Sequence, residues 1–281
     1  MSVTYRLAQR IDDRTTIVRA GSATFGDGNF SLIGGPCSIE SATQIGRAAE
    51  GVRAAGGTML RGGAYKPRTS PYDFQGLGDA GLPLIAQAGA AAGIPVVVEA
   101  LDTSHVGLVA GFADMIQIGA RNMQNVPLLR AAALTGLPIL LKRGPSATLE
   151  ELLLAAEYIL LEGNARVVLC ERGIRGFDPQ TRNVCDLGGA LRLRELTHLP
   201  VILDPSHASG RRTLIAPLTL AAAAAGLDGA IVEVHPQPSQ ALCDAAQAID
   251  LPEFARIAHA VRAIRSTLDG ISASDAFVYG R

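Results

Sequence analysis

The chain has 281 residues, of which 48% are apolar and 18% are charged, and this balance excludes intrinsic disorder. The net charge of −1 gives no indication of nucleic-acid binding, and no apolar run is long enough for a membrane span or a secretory signal. The four cysteines form no CxxC pair, which fits a reducing, cytoplasmic location.

A short β-hairpin is the first predicted element. Apolar and polar side chains alternate over residues 15–30, around the turn residues Gly21-Ser22 and Asp27-Gly28. We expect this hairpin to plug the N-terminal end of the domain that follows. Residues 1–14, which precede it, are predicted to be a flexible segment.

Eight strands alternate with eight helices after the hairpin. The predicted strands cover residues 31–35, 58–62, 95–100, 115–119, 138–143, 166–171, 200–204 and 229–234. The predicted helices cover residues 42–55, 79–93, 103–112, 124–136, 148–162, 186–196, 212–226 and 252–268. The strands are continuous apolar runs, typical of parallel strands buried on both faces. Eight such units favour a (β/α)8 TIM barrel of the α/β class.

An open, doubly wound sheet is the alternative architecture. It usually carries a glycine-rich dinucleotide motif after its first strand, and GGPCSIES is not such a motif. No linker or shift in composition divides the chain, so residues 15–281 are predicted to form a single catalytic barrel with its hairpin.

Basic residues follow several of the predicted strands, at the end of a TIM barrel where the chemistry lies. They are Arg61, Lys66, Arg68, Arg121, Lys142 and Arg172. Converging cations fit a small, multiply charged anion such as a phosphate ester that bears a carboxylate. Lys66 and Lys142 are the only lysines among 25 basic residues, which indicates positions that need a compact ammonium.

Metal-binding residue types follow the first, seventh and eighth strands. Cys37 comes after the first strand, His207 after the seventh, and Glu233 and Asp244 at and beyond the end of the eighth. Barrel closure places the eighth strand beside the first, so a thiolate, an imidazole and two carboxylates can meet there as a divalent-metal site. Each residue taken alone could have a purely structural role. Their joint placement at neighbouring strand ends favours the interpretation as a metal site.

Two further residue types near this site are interpreted separately. Cys170, Cys185 and Cys243 have no convergent partners in the pattern and are interpreted as structural. His235 lies close to the predicted metal site and either supports its ligands from outside or has no part in it.

Long motifs surround these residues: GGPCSIES, LRGGAYKPRTSPYDFQGLG, VVVEAL, IQIGARNMQN, LLKRG, LCERGIRGF, DPSHASGRR and DGAIVEVHPQPSQALCDAAQAI. Together they resemble the 3-deoxy-D-arabino-heptulosonate 7-phosphate (DAHP) synthases, in the branch that also resembles 3-deoxy-D-manno-octulosonate 8-phosphate synthase. The resemblance covers residues 30–270 in order. It implies the first step of the shikimate pathway of aromatic amino acid biosynthesis. In that step phosphoenolpyruvate, erythrose 4-phosphate and water give DAHP and phosphate.

The resemblance also implies a role for each candidate residue. It implies that one divalent ion (Mn, Fe, Co or Zn) is bound by Cys37, His207, Glu233 and Asp244. It implies a phosphoenolpyruvate site formed by Arg61, Lys66, Arg121, Lys142 and Arg172. It places on the erythrose 4-phosphate side Lys66, Arg68, Thr69 and Asp204. Glu99 matches a residue near the attacked carbon, so the expected catalytic residues are Lys66, Glu99 and His207.

Two other functions are weighed against this one. The octulosonate 8-phosphate synthase reaction uses arabinose 5-phosphate, but the sequence KPRTS is the DAHP synthase form, whereas the alternative typically has KANRS. A barrel that binds phosphorylated ligands without catalysis would lack a metal ligand or a lysine, and none is missing.

The resemblance further implies a homodimer or homotetramer. We expect no separate regulatory domain, because about 50 residues are needed to bury a core and neither end of the chain offers them outside the barrel. The barrel alone is therefore expected to be insensitive to phenylalanine, tyrosine and tryptophan. Regulation by a separate partner protein stays open.

Overall fold

A computed structural model describes residues 5–68 and 70–274 of the chain. Its strands, in chain order, are Val18–Ala20 (β1), Ala23–Phe25 (β2), Ser31–Gly35 (β3), Met59–Arg61 (β4), Val96–Ala100 (β5), Met115–Ile118 (β6), Ile139–Lys142 (β7), Val167–Glu171 (β8), Val201–Leu203 (β9) and Gly229–Glu233 (β10). Strands β3 to β10 form a closed parallel barrel, in which β10 pairs with β3 and Glu233 lies opposite Gly35. The predicted (β/α)8 fold with an N-terminal hairpin is confirmed.

Helices cover the outside of the barrel. They are Ala42–Ala54 (α1), Gly81–Ala92 (α2), Thr103–Ala110 (α3), Val126–Leu134 (α4), Leu149–Leu161 (α5), Leu187–Leu196 (α6), Pro205–Ser209 (α7), Arg212–Ala224 (α8) and Leu251–Ser274 (α9). The short helix α7 and the 3₁₀ turns, such as Ala245–Gln247, were not predicted, because so few residues show no apolar period. Within the described ranges, every helix is too short or too polar to cross a membrane.

The hairpin formed by β1 and β2 fills the N-terminal end of the barrel. Its inward side chains, Val18, Ala20, Ala23 and Phe25, are buried. They belong to one apolar cluster with the barrel-lining side chains Ile33, Met59, Val97, Met115, Leu140, Val168, Cys170, Ile202 and Ile231. The alternation in the sequence is therefore the pattern of a plug, as predicted, and it leaves the opposite end of the barrel open for a site.

Replacing Phe25 with alanine is expected to lower the free energy of unfolding by about 3–5 kcal/mol, because it leaves a cavity under the barrel. Ser22→Ala, at the exposed turn of the same hairpin, is the matched control and should change it by less than about 0.5 kcal/mol. Urea denaturation of both variants measures the difference. Equal effects would show that the hairpin covers the barrel without stabilising it.

The segment before the hairpin packs against the barrel, whereas the sequence predicts a flexible segment over residues 1–14. Tyr5 and Ala8 are buried, and the backbone N–H of Ala8 donates to Glu157 Oε1 at 2.6 Å. The backbone N–H of Arg10 donates to the carbonyl of Leu196 at 2.9 Å. These contacts join the segment to α5 and α6. A sequence shows no sign of them, because the groove that receives Tyr5 and Ala8 exists only after those helices have packed.

Candidate active site

A cavity of about 700 Å³ opens where the barrel strands end. Many of the predicted site residues line it: Arg61, Lys66, Arg68, Glu99, Arg121, Lys142, Arg172, His207 and Asp244. Thr69, predicted on the erythrose 4-phosphate side, lies outside the described residues. The strand ends therefore bring residues together from positions 61 to 244 of the chain, as a TIM barrel requires of its active site.

Several of the cations in this cavity are buried without an anionic partner. Lys66 and Arg172 are at most 9% exposed, and neither makes a salt bridge within residues 5–68 and 70–274. Burial lowers the pKa of Arg172, because nearby carboxylates do not compensate for its lost hydration. Arg61 has a buried Nε without a hydrogen-bond partner in the same ranges. Because a buried unpaired charge is costly, the site is suited to an anionic ligand.

Arg61, through its Nη1, and Lys142 are instead paired with carboxylates of the cavity wall. Arg61 Nη1 donates to Glu233 Oε1 at 2.7 Å, and Lys142 Nζ forms an ion pair with Asp204. Arg121 Nη1 donates to the carbonyl of Pro67 at 3.1 Å, which ties it to the loop that carries Lys66. Arg61, Lys142 and Arg121 are thus held in place before any ligand arrives.

The four predicted metal ligands converge beside these cations. His207 Nε2 lies 3.3 Å from Glu233 Oε1, and the Cys37 thiol donates to Asp244 Oδ2 at 3.1 Å. The ligand atoms of His207, Glu233 and Asp244 lie within 4.8 Å of one another, as do those of Cys37, Cys243 and Asp244. Asp244 is common to both groups and joins them into one cluster.

Cys243 is a correction to the sequence analysis, which gave it no convergent partners. It lies beside Cys37 because the loop after β10 folds back over the end of β3. Its position next to Asp244 in the chain is the sequence signal that indicates a place in the cluster.

Asp204 fixes the orientation of His207. Its Oδ2 accepts from His207 Nδ1 at 2.7 Å, and its Oδ1 accepts from the backbone N–H of the same residue at 2.9 Å, at the start of α7. This arrangement turns Nε2 towards Glu233 and Asp244. His207 and Lys142 hold the pKa of Asp204 well below its usual range, although burial acts to raise it.

Asp204 was predicted on the erythrose 4-phosphate side. The structure instead places its carboxylate, 1% exposed, behind Lys142 and His207, with both oxygens occupied. Its contacts are therefore with the wall of the cavity.

The loop that carries Asp244 is held by Glu40. Glu40 Oε1 accepts from the backbone N–H of Leu242 at 2.9 Å, and its Oε2 accepts from His235 Nε2 at 3.3 Å. His235 thus acts on the loop rather than on a predicted ligand side chain. Asp244 has φ = 52°, the left-handed region that is uncommon for a residue other than glycine and costs about 1–3 kcal/mol.

Glu99 is positioned by residues that the sequence analysis missed. Gln117 Nε2 donates to Glu99 Oε2 at 3.0 Å, and a Cβ at Gly119 would lie 2.0 Å from Glu99 Oε1. Gln117 stands in the apolar strand β6, and a polar residue in a buried strand is the signal that would have found it. Five more polar cavity residues were missed because they lie in loops or short turns: Asp73, Asn122, Arg175, Arg182 and Asn183.

Residues 13–269 match the DAHP synthetase I family. The chain belongs to this family.

Relatives and solved structures agree with membership of the DAHP synthetase I family. A phospho-2-dehydro-3-deoxyheptonate aldolase of Thermotoga maritima is 46% identical over 265 residues, which cover 94% of this chain and 78% of the relative. The crystal structure of the Thermotoga maritima DAHP synthase matches with a TM-score of 0.91 at 45% identity, covering 94% of this chain and 78% of that one. A truncated form matches with a TM-score of 0.87 at 42% identity, and covers 93% of this chain and 97% of that one.

Relatives named for the alternative reaction are less similar to this chain. A 2-dehydro-3-deoxyphosphooctonate aldolase of Syntrophotalea carbinolica is 30% identical over 283 residues, covering 94% of this chain and 97% of the relative. The family assignment and the relation to the octulosonate branch are therefore both as the sequence motifs predicted.

Proposed function

We propose that the protein is a DAHP synthase, which condenses phosphoenolpyruvate with erythrose 4-phosphate and water to give DAHP and phosphate. One observation carries the proposal. Buried cations, of which Lys66 and Arg172 form no salt bridge among the described residues, line one cavity with His207 and Asp244 of the thiol, imidazole and carboxylate cluster. The chain is also 46% identical to a phospho-2-dehydro-3-deoxyheptonate aldolase. A substrate with a phosphate and a carboxylate suits the cations, and a sugar aldehyde suits a metal at the cluster.

One divalent metal ion is held by Cys37, His207, Glu233 and Asp244. The donor set fits such an ion, because His207 is oriented with Nε2 towards two carboxylates and the Cys37 thiol lies beside Asp244. Mixed sulfur, nitrogen and oxygen donors suit Mn, Fe, Co or Zn. When bound, the ion supplies Lewis-acid polarisation of the aldehyde oxygen.

Phosphoenolpyruvate is bound by five cations of the cavity, all of them buried except Arg121. These are Arg61, Lys66, Arg121, Lys142 and Arg172. Their charges hold the phosphate and carboxylate groups and so fix the direction of C3, which attacks the aldehyde carbon. Arg68, which lines the cavity, contributes to the site for the phosphate of erythrose 4-phosphate, and the resemblance adds Thr69 to that site.

Glu99 handles the water that completes the reaction. Attack by C3 breaks the π bond of the aldehyde, whose oxygen takes up a proton to become a hydroxyl, and it leaves positive charge at C2, where water adds. Glu99, held by its hydrogen bond from Gln117, orients this water and accepts its proton. The tetrahedral intermediate then expels inorganic phosphate, whose charge the surrounding cations stabilise. The protein is further proposed to act in the cytoplasm as a homodimer or homotetramer.

Phosphate release from phosphoenolpyruvate tests the function. We expect release with erythrose 4-phosphate, and a kcat/KM for arabinose 5-phosphate lower by about 100-fold, because the extra carbon displaces the aldehyde from the reacting position when the phosphate is held. Each sugar phosphate is assayed alone, with and without a chelator. Preference for arabinose 5-phosphate would assign the chain to the octulosonate reaction. Release with neither sugar would identify a barrel that binds phosphorylated ligands without catalysis.

A further inference from the structure

Gln247 joins the proposed metal site to the rim of the substrate cavity. It is 3% exposed and ends the 3₁₀ turn Ala245–Gln247, directly after Asp244. Its Nε2 donates to Glu233 Oε2 at 2.7 Å, and its Oε1 accepts from Arg182 Nη1 at 2.9 Å. One carboxamide therefore contacts a proposed metal ligand on one side and a cavity-lining arginine on the other.

The chemistry of the two partners determines which way the carboxamide faces. A guanidinium can only donate hydrogen bonds, and a carboxylate can only accept them. The amide oxygen of Gln247 must therefore face Arg182, and its NH₂ group must face Glu233. The reversed amide would set two donors against each other at Arg182 and two acceptors against each other at Glu233.

The contact with Gln247 also defines the role of each Glu233 oxygen. Oε2 accepts from Gln247. Oε1 accepts from Arg61 Nη1 at 2.7 Å and lies 3.3 Å from His207 Nε2. With Oε2 held, the carboxylate cannot rotate, and Oε1 stays on the side of the imidazole. Arg182 also lies 3.7 Å from Asp244 Oδ1, so its charge acts on a second proposed ligand.

We propose that Gln247 is a positioning residue that fixes the carboxylate of Glu233 for metal binding, and that Arg182 fixes the carboxamide of Gln247. This inference rests on the proposed metal site. The contacts of Gln247 need no bound ligand, so the carboxylate is held before the metal arrives. Groups that orient a metal ligand typically contribute about 10–100-fold to metal affinity.

The dissociation constant for Mn²⁺ tests the proposal independently of turnover. Metal-free protein is titrated with Mn²⁺, and the EPR signal of the free ion is measured. Gln247→Leu removes both hydrogen bonds at similar volume and is expected to weaken Mn²⁺ binding by about 10–100-fold. The matched control is Gln240→Leu, an exposed glutamine in the same loop, which should bind Mn²⁺ as the wild type does.

A second variant keeps the test independent of folding. Gln247→Glu has the same shape and still accepts from Arg182, but it cannot donate to Glu233 in its ionised form. It should weaken Mn²⁺ binding at least as much as Gln247→Leu. If the wild type binds Mn²⁺ and both variants bind it equally well, this inference is overturned and the proposed function stands. If the wild type binds no divalent metal, the proposed metal site itself is overturned, and the inference with it.

Discussion

Cys37→Ala and His207→Ala are expected to fold and to lose turnover by about 1000-fold or more, because the aldehyde is no longer held and polarised, a contribution of several kcal/mol. Steady-state phosphate release measures the loss, and circular dichroism checks the fold. Cys185→Ala and His259→Ala are the matched controls, since neither side chain lies in the cluster. Both controls should keep nearly full activity.

A chelator should inactivate the wild type in the same way, and divalent metal should restore it. Full activity in demetallated protein would contradict the assignment of the metal site. The neighbouring Cys243 thiol, together with burial, raises the pKa of the Cys37 thiol well above its usual value. The thiol is therefore protonated at neutral pH, and metal binding must release that proton. Apparent metal affinity should consequently rise between about pH 6.5 and 8, and a flat profile would argue against a thiolate ligand.

Lys142→Arg is expected to lower kcat/KM by about 100-fold or more, although it keeps the positive charge. The ammonium is buried against Asp204, and a guanidinium is wider, planar and hydrogen-bonds in a different geometry. Displacing Asp204 would also release its hydrogen bond to His207 Nδ1. Lys66→Arg should be similarly severe, because Lys66 is also buried in the cavity.

Arg→Lys changes on helix α6 provide the control for charge-conserving substitution. Arg192 and Arg194 lie outside the cavity, so their replacement by lysine should leave kcat/KM within about twofold, as is usual for surface positions. The four variants are compared in one steady-state assay. Equal effects at all four positions would mean that the site needs positive charge alone, and that the placement of the two lysines is coincidental.

The barrel could be predicted from the sequence because each strand is a short apolar run with clear boundaries. Ser31–Gly35 was predicted at its observed limits, and the other barrel strands were predicted one residue too long at one or both ends. The extra residues are mostly prolines before the strands and glycines and charged residues after them, such as Asp204, which starts helix α7 instead. Strand limits depend mainly on the hydropathy of neighbouring residues, which can be read from a single sequence.

Most of the site residues that could be predicted sit at or just after strand ends, and Asp244, beyond the end of β10, was predicted with them. Cys37, Lys142, His207 and Glu233 lie at such positions, and barrel closure brings them together. Cys243, Gln247 and Arg182 lie in loops without a period, and their contacts depend on how those loops cross the mouth of the barrel. The docking of residues 5–10 was missed for the same reason, because it depends on the surface that helices α5 and α6 form together.

The carboxylate of Asp204 is shared by Lys142 from the substrate side and by His207 from the metal side. A substitution at Lys142 therefore also changes the contact between Asp204 and His207, and a substitution at His207 changes the contact between Asp204 and Lys142. Substitutions at positions 142 and 207 should therefore be strongly epistatic, since residues in one hydrogen-bond network rarely contribute additively. In a lineage that changes its metal or its substrate, the two positions are therefore under joint selection. The substitutions tolerated at position 142 depend on the residue at position 207, and the reverse holds as well.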